Sequence, residues 1–404
     1  MPNPDTTLRV AMVSSSFTRD GAEKQFFYAC RSLAEAGREV QVYGYGPGGF
    51  YSQALRAINL PVNDVYCPGQ RLTMLRRLAR SLRAFRPHIV LVSQFGDALY
   101  GGIAGRLSGG LVLVGVRSNG FAEMSKHRRL GPWMLRLANG LIANSWSARK
   151  NLVHLGVEPQ CVQVLPNVID LRDFDRQSLR LFSLPLAPGR IVVAAIGRLF
   201  HTAKRHDRFL KALALARRTV PALTGVIVGR DEGAKESLLR QAGALGLLPD
   251  GLVLLPETDQ VPALLRHVHI LALTSDYEGF PNVILEAMAA ELPVISTPAG
   301  DASRIVQDGG TGYVVEYEDI KGIAERMVQL AQAPALRKSL GEAGRKRVEQ
   351  EYDYESLADR LMEVFQRFAR QHQKLSLCEL LKRGVAAKKP EALAGSLILD
   401  QPTA

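Results

Sequence analysis

Twice in this chain a short, wholly apolar run stops abruptly at a loop of small and polar residues and gives way to helical periodicity. Residues 8–13 (LRVAMV) lead into the loop 14–21 and a helical stretch over 22–36. Residues 191–196 (IVVAAI) lead into Gly197-Arg198 and a second helical stretch. A run of this length that is apolar at nearly every position belongs in a strand buried on both faces, and such strands occur in parallel sheets covered by helices. Gly37 ends the first helix and 39–45 supplies the next strand, which completes a β-loop-α-β unit. Further buried strands are expected at 89–93, 111–116, 140–144 and 161–165. The second half repeats the rhythm at 225–228, 252–255, 270–273, 293–296 and 312–315.

At 404 residues the chain is too long for one ordinary core. The expected class is therefore α/β, with two doubly wound, Rossmann-like domains whose ligand crevices, if they face each other, make one cleft. Residues 1–172 are expected to form the first domain and 191–353 the second. The stretch 173–190, rich in Leu, Arg and Pro, reads as the linker. A helix at about 354–373 closes the ordered part, and 374–404 reads as a flexible tail. Doubly wound sheets bind ligands outside the carboxyl ends of their strands, so chemistry is expected there.

The net charge is +12, which favours anionic partners: phosphates, nucleic acid or an acidic membrane face. No recognition-helix motif or aromatic stacking pattern accompanies the charge, so nucleic acid is not expected as a partner. Residues 71–86 (RLTMLRRLARSLRAFR) carry six arginines and no acid, with Leu72, Leu75, Leu78, Leu82 and Phe85 on one helical stripe. Either this is a basic amphipathic helix resting on an anionic membrane, or it is a core helix with a solvated basic back. No apolar run approaches the ~18 residues that a spanning helix needs, and the N-terminus has no signal pattern. Cys30, Cys67, Cys161 and Cys378 lack metal-ligand spacing and read as free thiols. The expected location is the cytoplasm, with peripheral attachment to the inner face of the membrane as the other possibility.

The segment 273–300, LTSDYEGFPNVILEAMAAELPVISTPAG, is the most informative. A strand ends near Thr274, a polar loop follows, and Gly279 permits close backbone approach. Pro281 is expected at the first helical position and the helix over 282–290. The first amides of such a helix lack internal partners and suit a phosphate. Glu278 lies in the loop; Glu286 lies about 6–8 Å into the helix. The two carboxylates could bracket a bound diphosphate, or simply flank an ordinary helix cap.

The surrounding residues carry a resemblance. Ser275, Glu278, Gly279, Phe280, Pro281, Glu286, Ala287, Met288, Ala289, Pro293 and Val294 match the pattern of glycosyltransferase family 4, with Glu291 where the family has Gly. That departure puts the C-cap of the helix in question. The resemblance implies a two-domain GT-B fold, with the C-terminal helix crossing back to the first domain. It also implies a retaining transfer from a nucleotide diphosphate sugar, UDP first among the nucleotides. Glu286 would hold the ribose hydroxyls and Glu278 the donor sugar. The amides of Asn282, Val283 and Ile284 would meet phosphates or sugar, with Gly279, Phe280 and Pro281 shaping that loop.

Other segments resemble the family over roughly 8–370. Gly197-Arg198-Leu199 with Lys204 matches a pattern whose two cations neutralise the leaving diphosphate. Nothing points to a metal or any other cofactor. His201, Arg205 and His206 stand nearby with no assigned task. Val228-Gly229-Arg230-Asp231 sits where the family often has V-G-x-G; Arg230 either lines the nucleotide pocket or faces solvent. Gly21, Ala22 and Glu23, after Asp20, resemble a G-G-x-E loop at an acceptor or phosphate. Pro166-Asn167-Val168-Ile169-Asp170 matches a topological marker. Where many members have His after the strand 111–116, this chain has Arg117-Ser118-Asn119, and Arg117 or Asn119 would contact donor or acceptor instead. The implied partners are a nucleotide diphosphate sugar and a glycan or lipid-linked acceptor of cell-surface polysaccharide or glycolipid synthesis. Another GT-B enzyme, such as a phosphorylase or epimerase, or a catalytically silent sugar-nucleotide-binding partner, are the alternatives.

Overall fold

The structure is a computed structural model that describes residues 7–118, 131–200 and 203–374. The chain divides into two compact units. One comprises the residues up to Leu165 together with those from Leu357 onward; the other runs from Pro166 to Ser356. The first division therefore falls at Leu165, ahead of the stretch expected to be the linker. That stretch begins inside a helix, Leu171–Ser178, whose N-cap Asp170 accepts from the Asp173 amide at 2.9 Å. Leu171 and Phe174 of this helix lie in the second unit's core, so it packs as part of the unit rather than spanning a gap. Of the expected tail, 374–404, Lys374 ends the C-terminal helix and the rest lies outside the described residues.

The first unit is built on seven strands: β1 (Arg9–Ser14), β2 (Glu39–Gly44), β3 (Val62–Asp64), β4 (Ile89–Val92), β5 (Leu111–Val116), β6 (Gly140–Ala143) and β7 (Val162–Val164). All neighbours are parallel, in the order β3-β2-β1-β4-β5-β6-β7. The edge strand β3 is only three residues long and half-exposed, too short to leave a periodic signal. The second unit has six parallel strands: β8 (Ile191–Ile196), β9 (Leu223–Val228), β10 (Leu252–Leu255), β11 (Ile270–Leu273), β12 (Val294–Ser296) and β13 (Gly312–Val314). Their order, β10-β9-β8-β11-β12-β13, is the doubly wound order with its reversal between β8 and β11. The first unit reverses between β1 and β4.

The glycines of the first half make close helix-to-sheet packing possible. The helix Ala98–Ser108 lies so near the sheet that a Cβ at Gly101 would come 2.9 Å from Val92 Cγ2, and one at Gly105 2.7 Å from Val112 Cγ2. The C-terminal helix Leu357–Lys374 belongs to the first unit, as expected of a helix that crosses back. Its Leu357, Leu361, Phe365 and Phe368 are buried, and Phe368 packs against Gly140 at the start of β6.

The basic segment forms a helix, Arg71–Phe85, and most of its apolar stripe is turned into the first unit. Met74, Leu78, Ala79 and Leu82 are buried in the first unit's core, and Leu75 and Phe85 pack against it. Of the stripe only Leu72 faces outward, 71% exposed. The arginines at 71, 76, 77, 80, 83 and 86 are all exposed. The apolar face is thus used in the core, leaving a solvated basic back. Among the described residues no helix is long and apolar enough to cross a membrane.

Candidate functional site

The second unit's reversal point gathers most of the residues singled out from the sequence. β8 runs out at Ile196 and the chain turns through Gly197 and Arg198; β11 runs out at Leu273 and turns through Thr274 and Ser275. Between these strand ends Lys204 Nζ donates to Glu278 Oε1 at 2.6 Å, and Ser275 Oγ donates to the same oxygen at 2.7 Å. Both partners of the ion pair are mostly shielded, with side chains 19% and 11% exposed. A pair this short and this desolvated is stronger than a surface salt bridge and fixes both loops.

Close backbone approaches make the site possible. Gly229 follows β9, and a Cβ there would sit 2.0 Å from the Gly197 carbonyl oxygen. Gly300 has φ of +60°, and a Cβ on it would come 2.6 Å from the Glu278 carbonyl and 2.5 Å from that of Gly279. These two glycines let neighbouring turns close on the Gly197 and Glu278 loops.

The helix after the Glu278 loop spans Asn282–Ala289. Pro281 is its N-cap, in extended conformation (φ −78°, ψ 91°), rather than its first helical residue as expected. The extended ψ at Pro281 lets its own carbonyl accept from the Ile284 amide at 3.0 Å. Of the three amides expected to meet a phosphate, that of Ile284 is therefore already engaged. Asn282 is held by its side chain, whose Oδ1 accepts from Asn167 Nδ2 at 2.8 Å. The Pro166–Asp170 motif thus supports the helix start directly, beyond marking topology. Phe280 is buried against Tyr352, with ring centroids 5.8 Å apart, and Val283 packs at the rim of the core. Glu286, the fifth residue of the helix, is half-buried.

Arg198 and Arg230 meet at a residue the sequence reading passed over. Each places a guanidinium nitrogen 3.3 Å from Glu232 Oε1. Arg230 also lies 3.9 Å from Glu257. Arg198 is 52% exposed and Arg230 44%, so both remain open to an anion from solution. A lone Glu after a Gly-Arg-Asp turn carries no motif, and the bridge between Leu199 and Asp231 brings it to Arg198. His206 is buried behind the same turn, its Nε2 donating to the Arg198 carbonyl at 3.4 Å. Burial pushes its pKa down to about 4, and the Lys204 charge adds to the fall, so the imidazole is neutral near pH 7.

In the first unit the strand ends at the reversal point carry a buried carboxylate that stands in no sequence motif. Asp97 is 2% exposed. It accepts from Ser15 Oγ at 2.5 Å, from the Ser15 amide at 3.2 Å and from Tyr45 Oη at 2.7 Å. Burial pushes its pKa above the usual carboxylate range, while these hydrogen bonds pull it back. Gly21 opens the helix Gly21–Glu35; Ala22 is half-buried and Glu23 is buried close to Asp97, with Oε2 unpartnered among the described residues. Arg117 points its Nε at the Ser93 carbonyl at 3.1 Å. Asn119 lies outside the described residues. Residues 201 and 202 do too.

Comparison with known proteins agrees with this layout. Residues 19–173 match the family model described as Glycosyltransferase Family 4, and residues 179–347 match the model described as Glycosyl transferases group 1. The capsular polysaccharide biosynthesis glycosyltransferase CapM of Staphylococcus aureus is 32% identical over 122 residues, 30% of this chain and 32% of that protein. The D-inositol 3-phosphate glycosyltransferase of Rhodococcus opacus is 29% identical over 236 residues, 56% of this chain and 52% of that protein. The alignments thus cover about half the length of these curated relatives or less. Among solved structures, Anabaena HepE in complex with UDP and glucose superposes with a TM-score of 0.75 at 19% identity, over 89% of this chain and 99% of that one. That likeness establishes the GT-B fold. The two family models together cover 19–347 apart from 174–178, and the chain belongs to glycosyltransferase family 4.

Proposed function

We propose that this protein is a retaining, metal-independent glycosyltransferase that moves a sugar from a UDP-sugar to a hydroxyl of a glycan or lipid-linked acceptor. The observation that carries the reading is the shielded Lys204–Glu278 pair, set at the reversal point of a doubly wound sheet just before the start of the Asn282 helix. The donor diphosphate would lie against that helix start. Lys204 would then exchange the Glu278 carboxylate for a phosphate oxygen, and Arg198 would leave Glu232 to do the same. Glu278, released from Lys204, accepts from hydroxyls of the donor sugar. Glu286 accepts from the ribose hydroxyls.

In the reaction the bond from the sugar's anomeric carbon to the diphosphate breaks, and a bond to the acceptor oxygen forms on the same face. The negative charge that builds on the leaving diphosphate is met by Lys204 and Arg198. The acceptor's hydroxyl proton passes to the departing phosphate oxygen. Acceptor recognition falls to the first unit's strand ends, where Glu23 stands near Asp97 and Arg117 is held by the Ser93 carbonyl. The uridine assignment is supported by the UDP bound in the HepE structure, and a role in surface polysaccharide synthesis by the name of the S. aureus relative.

A thermal-shift screen against UDP-glucose, UDP-N-acetylglucosamine, GDP-mannose and ADP-glucose tests the donor class, with a selective rise in melting temperature expected for the uridine compounds. Lys204→Ala and Glu286→Ala are expected to lower nucleotide release by roughly 10²–10³-fold with the secondary structure of the ligand-free protein, followed by circular dichroism, retained. Full activity in both variants refutes the assignment.

A further inference from the structure

Behind the Lys204–Glu278 pair lies a guanidinium with no exposed surface at all. Arg208, in the first turn of the helix His206–Arg217, is 0% exposed. Its Nη1 donates to the Thr274 carbonyl at 2.6 Å. Its Nη2 donates to Asp276 Oδ1 at 2.9 Å and to Glu318 Oε1 at 2.7 Å. Its Nε has no partner among the described residues, so its desolvation is not fully offset. An apolar side chain at this position would pack without that penalty. A buried, incompletely satisfied arginine is therefore a costly way to fill space.

Arg208 ties together the two loops that carry the pair. Thr274, whose carbonyl it holds, turns its Oγ1 to the carbonyls of Lys204 at 3.3 Å and Arg205 at 3.0 Å. Asp276, whose carboxylate it holds, donates its amide to the Ala203 carbonyl at 2.8 Å and accepts from Arg205 Nη1 at 2.8 Å. Arg205 itself sits in the left-handed region, φ 48°, and is held there by Asp207 and Asp276. The bonds from Thr274 Oγ1, from the Asp276 amide and from Arg205 to Asp276 join the 203–205 turn to the 274–276 turn, and Arg208 holds the second of these turns from behind. Lys204 and Glu278 project from these two turns.

We propose that Arg208 is a positioning residue: by clamping Thr274 and Asp276 it aims Lys204 Nζ at the place the donor diphosphate will occupy. It touches neither donor nor acceptor and acts through Lys204. The inference rests on the function proposed above. A lysine cannot reproduce a fork with three acceptors, so Arg208→Lys keeps the charge and loses the clamp.

Nucleotide release from UDP-glucose, GDP-mannose and ADP-glucose is measured for Arg208→Lys, Lys204→Met and the double variant, with UDP binding followed by calorimetry. Arg208→Lys is expected to lower kcat at least 20-fold while the Kd for UDP moves less than threefold. In the Lys204→Met background it should add less than twofold, because the residue it aims is gone. A kcat within threefold of the parent, or effects that multiply in the double variant, overturns the proposal. If Arg208→Lys does not fold, Asp276→Asn carries the same expectation, and a kcat within threefold there overturns it equally. Exchange of the Asp276 amide should quicken at least tenfold in whichever variant is used. Unchanged exchange overturns the proposal whatever donor the enzyme takes. Lys204→Met with full activity is a different result: it removes the proposed function, and this inference with it.

Discussion

Glu291 occupies the left-handed position beyond the Asn282–Ala289 helix, with φ of 56°. Its amide donates to the Met288 carbonyl at 3.1 Å and that of Leu292 to the Ala287 carbonyl at 2.9 Å, the pair of bonds that closes a Schellman motif. The C-cap questioned from the sequence is therefore fully formed, with a side chain where glycine fits without strain. Glu291→Gly is expected to raise stability by about 0.5–1 kcal/mol in urea unfolding, with nucleotide release unchanged. His206 gives a pH-dependent case. Its pKa in the folded protein, about 4, lies below the ~6.5 of an unfolded histidine. Between those values the unfolded chain binds the proton that the folded one refuses. The contribution to stability is thus complete above pH 6.5 and is lost as the pH falls towards 4, by up to ~3 kcal/mol. His206→Gln should flatten unfolding free energy against pH across that window; an unchanged slope would show that His206 is not the group responsible. At this scale the sequence disclosed residues that stand in a motif, such as Glu278 and Lys204, and hid those defined by distant partners. Arg208 reaches Glu318, 110 positions away, and inside a helical pattern it looks like any solvated arginine.

Elements were more legible than their edges. The buried parallel strands leave continuous apolar runs, and twelve of the thirteen strands coincide with a run expected from the sequence, to within a residue or two at their ends. The short β3 and the helix Leu171–Ser178 escaped because three and eight residues give too little periodicity, and the Leu/Arg/Pro content around the latter resembles a linker. The Arg71–Phe85 helix shows the opposite limit: its pattern fixes an amphipathic helix but does not say which surface meets the apolar face. The C-terminal helix depends on a missing side chain. A Cβ at Gly140 would come 2.3 Å from the Phe368 ring, so Gly140→Ala must displace a buried phenylalanine. The expected cost is about 1–3 kcal/mol of stability in the first unit, with the Kd for UDP unaltered. Loss of UDP binding in this variant would contradict the placement of the donor site in the second unit.

On the scale of the whole molecule, two hydrophobic systems were expected from length and from the repeated strand–loop–helix rhythm, and each unit has its own sheet and core. What length could not show is where one ends. The second unit starts at Pro166 and ends at Ser356, and its two ends are bonded to each other: the Ile169 amide donates to the Tyr352 carbonyl at 2.9 Å, and the Tyr354 amide to the Ile169 carbonyl at 3.0 Å. In connectivity it is a guest threaded into a host, with its entrance and exit stapled side by side. A guest of that kind is portable. Residues 166–356 produced as a separate polypeptide are expected to fold cooperatively and to hold UDP within about threefold of the parent Kd, whereas the host, deprived of its guest, needs only a short splice between 165 and 357 to be whole again. Evolution could exchange such a cassette by a single cut-and-paste event, leaving the host body untouched.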